Sequence, residues 1–457
     1  MKNYSLFLVL IFSLSGNVYA QNENEVMAKR IADEIMQHSQ AYENLRVLCK
    51  KVGPRLSGSA NALKAVNETA QMLRQAGADS VYLQPCMVTH WVRGNVENCI
   101  ATTVQGKQLK LRATALGNSL SNPKGGVRAS VVEVKNYDEL VALGEKGIKG
   151  KIVFYNNPMN PTYINTFRAY GESGIYRRSG PSRAAKLGAV AVLVRSLSST
   201  IDSFPHTGAT VYNDSFPKIP AMAISTMDAE WLSREIAAKQ VRSMFVQTSC
   251  EMLPDVLSYN VVGVLKGRDI PGEYITVGGH LDSWDLAEGA NDDGTGCVQS
   301  IEIMRSFKAL SLRPKRSIHV VMFMNEENGG GGGHAYRDSA RTGVGKPIFA
   351  LESDAGGFTP RAIHFELPEE NILKLKAWEP LFRPYGVYEL SAGGGGSDIS
   401  PLKELETTLA GLSPDSQRYF YIHHAATDVF EAVSKRELEL GAVNMAILTW
   451  LVSEYGL

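Results

Sequence analysis

The apolar residues of this chain change their spacing twice, and the changes divide it into regions. Between Glu25 and Ala76 they recur every three or four residues. Ala62, Ala65, Val66, Ala70, Met72 and Leu73 mark one face and Gly77 ends the run, as in an amphipathic helix. Ser80–Val88 reads as a strand. From about Gly125 the texture is one of short β-rich runs, at Val127–Val134, Lys151–Tyr155, Val190–Val194 and Ile219–Ile224. Loops rich in Gly, Pro, Ser and Thr separate them, with one short helix around Ser182–Leu187, which predicts a small self-contained unit over 122–249.

From Tyr259 short strands alternate with helices. The strands are Val261–Val264, Ile275–Gly278, Ile318–Met324 and Ile348–Leu351. Cys297, Ile301 and Met304 mark the core face of a helix at Thr295–Leu310, and a last helix runs from Lys435 to Tyr455. Such alternation predicts an α/β fold, a mostly parallel sheet with helices on both faces. The expected organisation is a leader at 1–20, a main domain built from 21–121 and 250–457, and the β-rich unit of 122–249 inserted within it.

The leader reading rests on Lys2, the apolar stretch Leu6–Leu14 and the small residues of Val18-Tyr19-Ala20, with cleavage expected before Gln21. The stretch is roughly 10 residues, short of the ~20 that span a bilayer. No later segment is apolar enough to cross one, so the protein is expected to be exported, either periplasmic or secreted. The chain of 457 residues exceeds the ~250–300 at which a single core stops growing, which agrees with two domains. Lys+Arg and Asp+Glu are 47 each, and loss of Lys2 leaves 46 against 47. That balance draws neither nucleic acid nor an anionic membrane surface. Five cysteines, an odd number, leave at least one unpaired; Cys86 and Cys99 are near enough in sequence to be joined, and no CxxC pair is present.

The residues with chemistry to offer stand just beyond the strand ends. Gly278-Gly279-His280-Leu281-Asp282 closes the second strand, Asn325-Glu326-Glu327 the third and Glu352-Ser353-Asp354 the fourth. Ligands in open α/β sheets bind at the carboxyl ends of strands, so three separate segments send imidazole or carboxylate to one edge. Gly289-Ala290-Asn291-Asp292-Asp293-Gly294 adds a carboxylate-bearing turn, and His424 of the pair His423-His424 precedes Asp428 by four residues. Singly, these have plainer readings as a helix cap, a solvated loop or surface histidines. Together, crowded carboxylates repel unless a cation sits among them. Histidine with carboxylates and no thiolate is the donor set of hydrolytic zinc sites. Two metals sharing a carboxylate sit about 3.5–4 Å apart and can polarise a carbonyl and bridge a water. In the pair Glu326-Glu327 one residue would bind metal and the other move the proton.

The strings His280-Leu281-Asp282-Ser283-Trp284, Gly289 to Gly296, Asn325-Glu326-Glu327, Ser353-Asp354-Ala355-Gly356-Gly357 and His424 resemble the M28 family of dinuclear zinc exopeptidases. Val52-Gly53-Pro54-Arg55-Leu56-Ser57-Gly58-Ser59 and His90-Trp91-Val92-Arg93-Gly94 narrow the resemblance to one carboxypeptidase branch. It implies two Zn2+ per chain, one held by His280 and Asp354 and the other by Glu327 and His424, with Asp292 bridging. Glu326 would be general base and then general acid. Asp282 would steer His280, and Asp428 would do likewise for His424. His424 is preferred to His423 as ligand, leaving His423 to line the pocket. The loop Gly393-Gly394-Gly395-Gly396-Ser397-Asp398 resembles the family's substrate-side loop, which makes Gly396 and Ser397 candidate substrate contacts. The insert resembles a protease-associated domain in Gly150–Phe154 and Arg183–Val192, with the role of a lid or interface. Gly329–Gly333 reads as a helix-entry turn.

The resemblance implies a small peptide as substrate and a homodimer as assembly. Carboxypeptidase, dipeptidase and aminopeptidase action stay open, the last on longer peptides. A reading of another class is a receptor or binding module on the same fold that has lost its metals. Such a module should lack ligands or the base, whereas every expected position is filled here.

Overall fold

A computed structural model describes residues 23–121 and 125–457; the expected leader at 1–20 lies outside them. An eight-stranded sheet organises the main unit. Its strands are β1 (Ser80–Val92), β2 (Glu251–Leu265), β3 (Ile270–His280), β4 (Arg316–Phe323), β5 (Lys346–Glu352), β6 (Pro360–Phe365), β7 (Glu389–Ala392) and β8 (Thr408–Pro414), in the order β1-β2-β4-β3-β5-β8-β6-β7. The four pairings β4/β3, β3/β5, β5/β8 and β6/β7 are parallel and the other three antiparallel. The sheet is thus mostly parallel, as expected.

Period-two alternation covers both faces. Val320 and Met322 of β4 join the core beneath the helices Ala60–Gln75, Thr295–Ala309 and Lys435–Tyr455, while Val321 and Phe323 join a second cluster with Tyr336 of the helix Gly331–Thr342. The long helical stretch expected over 25–76 is interrupted. Helices at 23–38 and Ala41–Arg46 lead into the turn Val47–Val52, the chain then leaves helical geometry through Gly53 and Pro54, and the Ser59 side chain caps the helix Ala60–Gln75 by accepting from Ala62 N. Proline cannot continue a helix, and serine starts one.

The chain departs for the inserted unit after Val92 and returns at Glu251, and these two residues are cross-strand partners in β1 and β2. The unit holds a four-stranded antiparallel sheet and a five-stranded sheet with apolar residues between them, among them Ala101, Phe154, Leu193, Met222 and Met244. Glu97–Thr103, Gln108–Lys110 and Ala113–Ala115, all upstream of residue 122, supply strands to these sheets. The expectation of one short helix is corrected. Tyr137–Ile148, Thr166–Arg178 and Thr226–Ala237 are helical besides Gly180–Lys186. The first is kinked at Gly144, and the second carries two glycines and no apolar stripe, so the second shows no helical pattern in sequence. All five cysteines are buried and free, so Cys86 and Cys99 are not joined. Among the described residues no helix is long and apolar enough to cross a membrane.

Candidate active site

The order β4-β3-β5 places a reversal at the middle of the sheet. The chain steps from β3 outward to β4, then crosses back to β5 on the other side of β3. Two connections diverging there open a crevice at the carboxyl ends of the three strands. His280 ends β3, Asn325–Glu327 comes after β4, and Asp354 stands two residues beyond β5.

His280 is fully buried, with Nε2 3.1 Å from Asp292 Oδ1 and 3.3 Å from Asp354 Oδ1. His424 Nε2 is 3.0 Å from Asp292 Oδ2 and 3.2 Å from Glu327 Oε2. Asp292 therefore stands between two groups of donors. One is His280, Asp292 and Asp354; the other joins Asp292 to His424, with both His423 and Glu327 beside it. His423 Nε2 lies 3.7 Å from Asp292 Oδ2, its ring stacked on His424 with centroids 3.5 Å apart.

Both imidazoles that face Asp292 are oriented alike. His280 Nδ1 lies 2.9 Å from the carbonyl oxygen of Asp282, and His424 Nδ1 lies 3.3 Å from that of Thr207. A carbonyl only accepts, so Nδ1 of each ring carries a proton and Nε2 is left turned to the carboxylates as the atom a metal would take. The Asp282 carboxylate lies 4.0 Å from His280 Nδ1 and has a further task. It accepts the backbone N–H groups of Asn325 (2.6 Å), Glu326 (3.1 Å) and Glu327 (3.3 Å), and so fixes the turn that carries both glutamates.

Asp428 is not the partner of His424 that the sequence suggested. Its carboxylate accepts from the backbone of Asn291 (2.8 Å) and Asp292 (3.1 Å), holding the turn that presents Asp292. Its four-residue distance from His424 reflects the tight turns after Ile422, not a contact. Gly396 likewise has another reason for being glycine. Its φ is +138°, and a Cβ there would come within 2.3 Å of the Glu352 carboxyl carbon. Glu352 accepts from Asp398 N and Ile399 N and so docks this loop against β5, leaving Ser397 to line the cavity.

Can this donor set hold metal? Asp292 Oδ2 and Glu327 Oε1 are buried with no hydrogen-bond partner, and among the described residues no Lys or Arg pairs with Asp292, Glu327 or Asp354. Burial and the Asp292 charge push Glu327 up to about 8, and burial pushes Asp354 up to about 6. Against burial, His280 and His424 hold Asp292 well below the usual carboxylate range. Carboxylates competing for protons in a dry cluster are what a dication would relieve, and N/O donors without thiolate suit zinc. The residues fit the metal.

The cluster opens into a cavity of ≈ 970 Å³, lined by Glu326, Asp292, Asp354, Glu327, His423 and His424 among others. Glu326 is half-buried at its edge. Phe167, Tyr170 and Arg177 of the inserted unit also line it, with Tyr170 packed edge-on against His423. That unit also grips the 423–424 dipeptide: His206 Nδ1 donates to the His423 carbonyl at 2.8 Å, and Thr207 N donates to that of His424 at 3.0 Å. From the N-terminal side, buried Arg55 donates to Leu281 O (2.5 Å), Glu288 O (2.6 Å) and Gly289 O (2.8 Å), bracing the two segments that carry His280 and Asp292. Sequence reasoning assigned none of these supports. Nothing in the spacing around Arg55 marked it as a support, and a backbone carbonyl such as that of Thr207 carries no signal at all.

A model of peptidase family M28 matches residues 260–449. Human carboxypeptidase Q is 34% identical over 417 residues, covering 91% of this chain and 86% of that protein. A solved peptidase M28 precursor from Shewanella amazonensis superposes with a TM-score of 0.89 at 28% identity, over 95% of this chain and 97% of that one. A zinc aminopeptidase from Bacillus subtilis shares the fold, with a TM-score of 0.63 at 20% identity over 89% and 93% of the two chains.

Proposed function

The chain belongs to peptidase family M28 and is a metallo-exopeptidase, and from that premise we propose that it hydrolyses dipeptides and other short peptides with free termini, using two zinc ions and Glu326 as general base. One observation carries the reading: two buried donor groups share Asp292 beside Glu326, at the mouth of a cavity large enough for a short peptide. His280 and Asp354 would hold one ion, His424 and Glu327 the other, with Asp292 between them. His423, stacked on His424, lines the cavity. When bound, the ions would polarise the scissile carbonyl and make a water more acidic.

The protein groups then have separate tasks. Asp282 and Asp428 hold the glutamate turn and the Asp292 turn by their backbones. Glu326, anchored by its own N–H and half-open to the cavity, accepts the proton of the attacking water and returns it to the leaving amine nitrogen. The inserted unit narrows the cavity and limits the length of peptide admitted. The leader-like first residues support a location outside the cytoplasm.

Wild type and Glu326→Gln are assayed on free and end-blocked dipeptides, with zinc measured on both. About two zinc ions per chain are expected in each, with a loss of roughly 10²–10⁴-fold in kcat for the variant. Metal-loaded wild type that cleaves nothing in the panel removes the substrate class. A chain that neither binds zinc nor cleaves would be a binding module instead.

A further inference from the structure

Two asparagines that line the cavity each leave one end of the side-chain amide unused. Asn328 follows Glu327 in the glutamate turn and is only 6% exposed. Its Oδ1 accepts from Asn325 Nδ2 at 2.7 Å and from Ser57 Oγ at 2.9 Å, which fixes the amide, while its Nδ2 is buried with no partner. Asn118, on the inserted unit, donates from Nδ2 to the Asn328 carbonyl at 3.2 Å, and its Oδ1 is buried with no partner. Asn325 and Asn260, buried in the same region, use both ends. The first accepts from Thr89 N and donates to Asn328; the second accepts from Met324 N and donates to Gln84 and Gly332. A buried donor and a buried acceptor left without partners are costly unless a ligand supplies both.

Both side chains are held in place. Asn118 has a φ of +63°, a left-handed conformation that asparagine tolerates better than most residues. Its neighbour Gly117 is tied into the inserted unit, donating to Gly208 O at 3.0 Å and accepting from Thr210 N at 2.8 Å. Asn328 belongs to the turn whose N–H groups Asp282 gathers, two residues from Glu326. The free donor thus comes from the segment that carries the base, the free acceptor from the inserted unit, and one hydrogen bond joins the two residues. A carboxylate would offer this pair acceptors alone and an ammonium donors alone, whereas an amide offers C=O and N–H on separate atoms. Outside the bond that is cleaved, the main chain of a dipeptide has only its charged ends. In a dipeptide the matching group is therefore a side-chain carboxamide.

We propose that Asn118 and Asn328 form a subsite for a neutral amide of the substrate, with Asn328 Nδ2 donating to its C=O and Asn118 Oδ1 accepting from its N–H. This deepens the peptidase reading above and rests on it. The amide is the side chain of an Asn or Gln beside the cleaved bond, or the main-chain N–H and C=O of the middle residue of a tripeptide. The two sources give different results.

The experiment compares kcat/KM of the zinc-loaded wild type for Gln-Ala against Met-Ala, Ala-Gln against Ala-Met, and Ala-Ala-Ala against Ala-Ala. Methionine matches glutamine in length and lacks the amide. In one of the two dipeptide pairs the Gln peptide is expected to lead by roughly 10- to 100-fold. Asn118→Gly, which suits the positive φ and removes the acceptor, should bring that ratio near one with zinc content unchanged. Asn328→Ala removes the donor, should do the same, and serves if the first variant does not fold. Each reading is a ratio within one protein, so a variant slower on every peptide still reports. A tripeptide that leads the dipeptide, with the lead lost in the variants while Gln and Met peptides stay equal, assigns the subsite to the main chain. Wild type that shows none of these preferences overturns the proposal and leaves the peptidase reading standing. A preference that survives Asn118→Gly or Asn328→Ala at full strength also overturns it. Zinc-loaded wild type that cleaves none of these peptides overturns both.

Discussion

The imidazole of His424 takes its orientation from Thr207: the ring Nδ1 faces that residue's carbonyl oxygen at 3.3 Å, and Nε2 is thereby turned to Asp292 and Glu327. His424 has a φ of +60°, unfavourable for a side-chain-bearing residue, and the 206–207 segment holds it there through three hydrogen bonds. The inserted unit is therefore part of the metal site as well as its cover.

His206→Ala should loosen this grip without touching a metal donor. The expected result is a 10–100-fold weaker hold on one zinc of the two, read by competition with a chelator, while the ion beside His280 keeps its affinity. Equal loss of both ions would show a general unfolding instead.

Arg55→Ala removes the donor for three buried carbonyls at once. Each orphaned group costs about 1–3 kcal/mol, so urea unfolding should show a loss of at least about 3 kcal/mol. Arg55→Lys recovers part of it, since a single ammonium cannot match the fork.

Zinc should leave more readily as pH falls. Glu327 sits at about 8 in the metal-free site because burial and Asp292 favour its protonated form. Below that pH a proton must be displaced from Glu327 before zinc binds, so affinity rises with pH towards about 8. Calorimetry of zinc binding at pH 7 in buffers of differing ionisation enthalpy should register net proton release.

His319, on β4 far from the cluster, stacks on Tyr274 with centroids 4.0 Å apart, and burial holds it down at about 4. The unfolded chain takes up this proton near 6.5, so stability is full above 6.5 and falls as pH drops towards 4. His319→Gln should flatten that limb. The drop in midpoint temperature between pH 7 and pH 4.5 should shrink, by the equivalent of no more than about 3 kcal/mol.

The α/β alternation and every donor around Asp292 were legible because strand ends deliver side chains and side chains are what a sequence spells out. His280, Glu326, Glu327 and Asp354 reach one crevice for that reason, and the turns carrying Asp292 and His424 announce themselves by their side chains. What escaped was carried by backbone or by position across the fold. Asp282 and Asp428 do support the site, yet they grip main-chain N–H groups of the 325–327 and 291–292 turns, which no spacing reveals. Thr207 acts through a carbonyl that any residue would possess. The helix holding Tyr170 and Arg177 has no apolar stripe, so nothing in its pattern announced either the helix or the wall it builds. Of the strands that were missed, β7 is only four residues long and β8 is interrupted by Gly411.

Val92 and Glu251 face each other across β1 and β2, so everything between them leaves and re-enters the sheet at a single point. In topological terms the inserted unit is the loop of a hairpin, and the closure entropy of a loop grows only with the logarithm of its length. Such a cassette can be enlarged, trimmed or reshaped with little penalty to the sheet that carries it. The demand on it is local: residues 206 and 207 must still reach the 423–424 dipeptide. Divergence in peptide preference among proteins of this build should then accumulate in the cassette, while the hydrolytic machinery beneath it is inherited nearly unchanged.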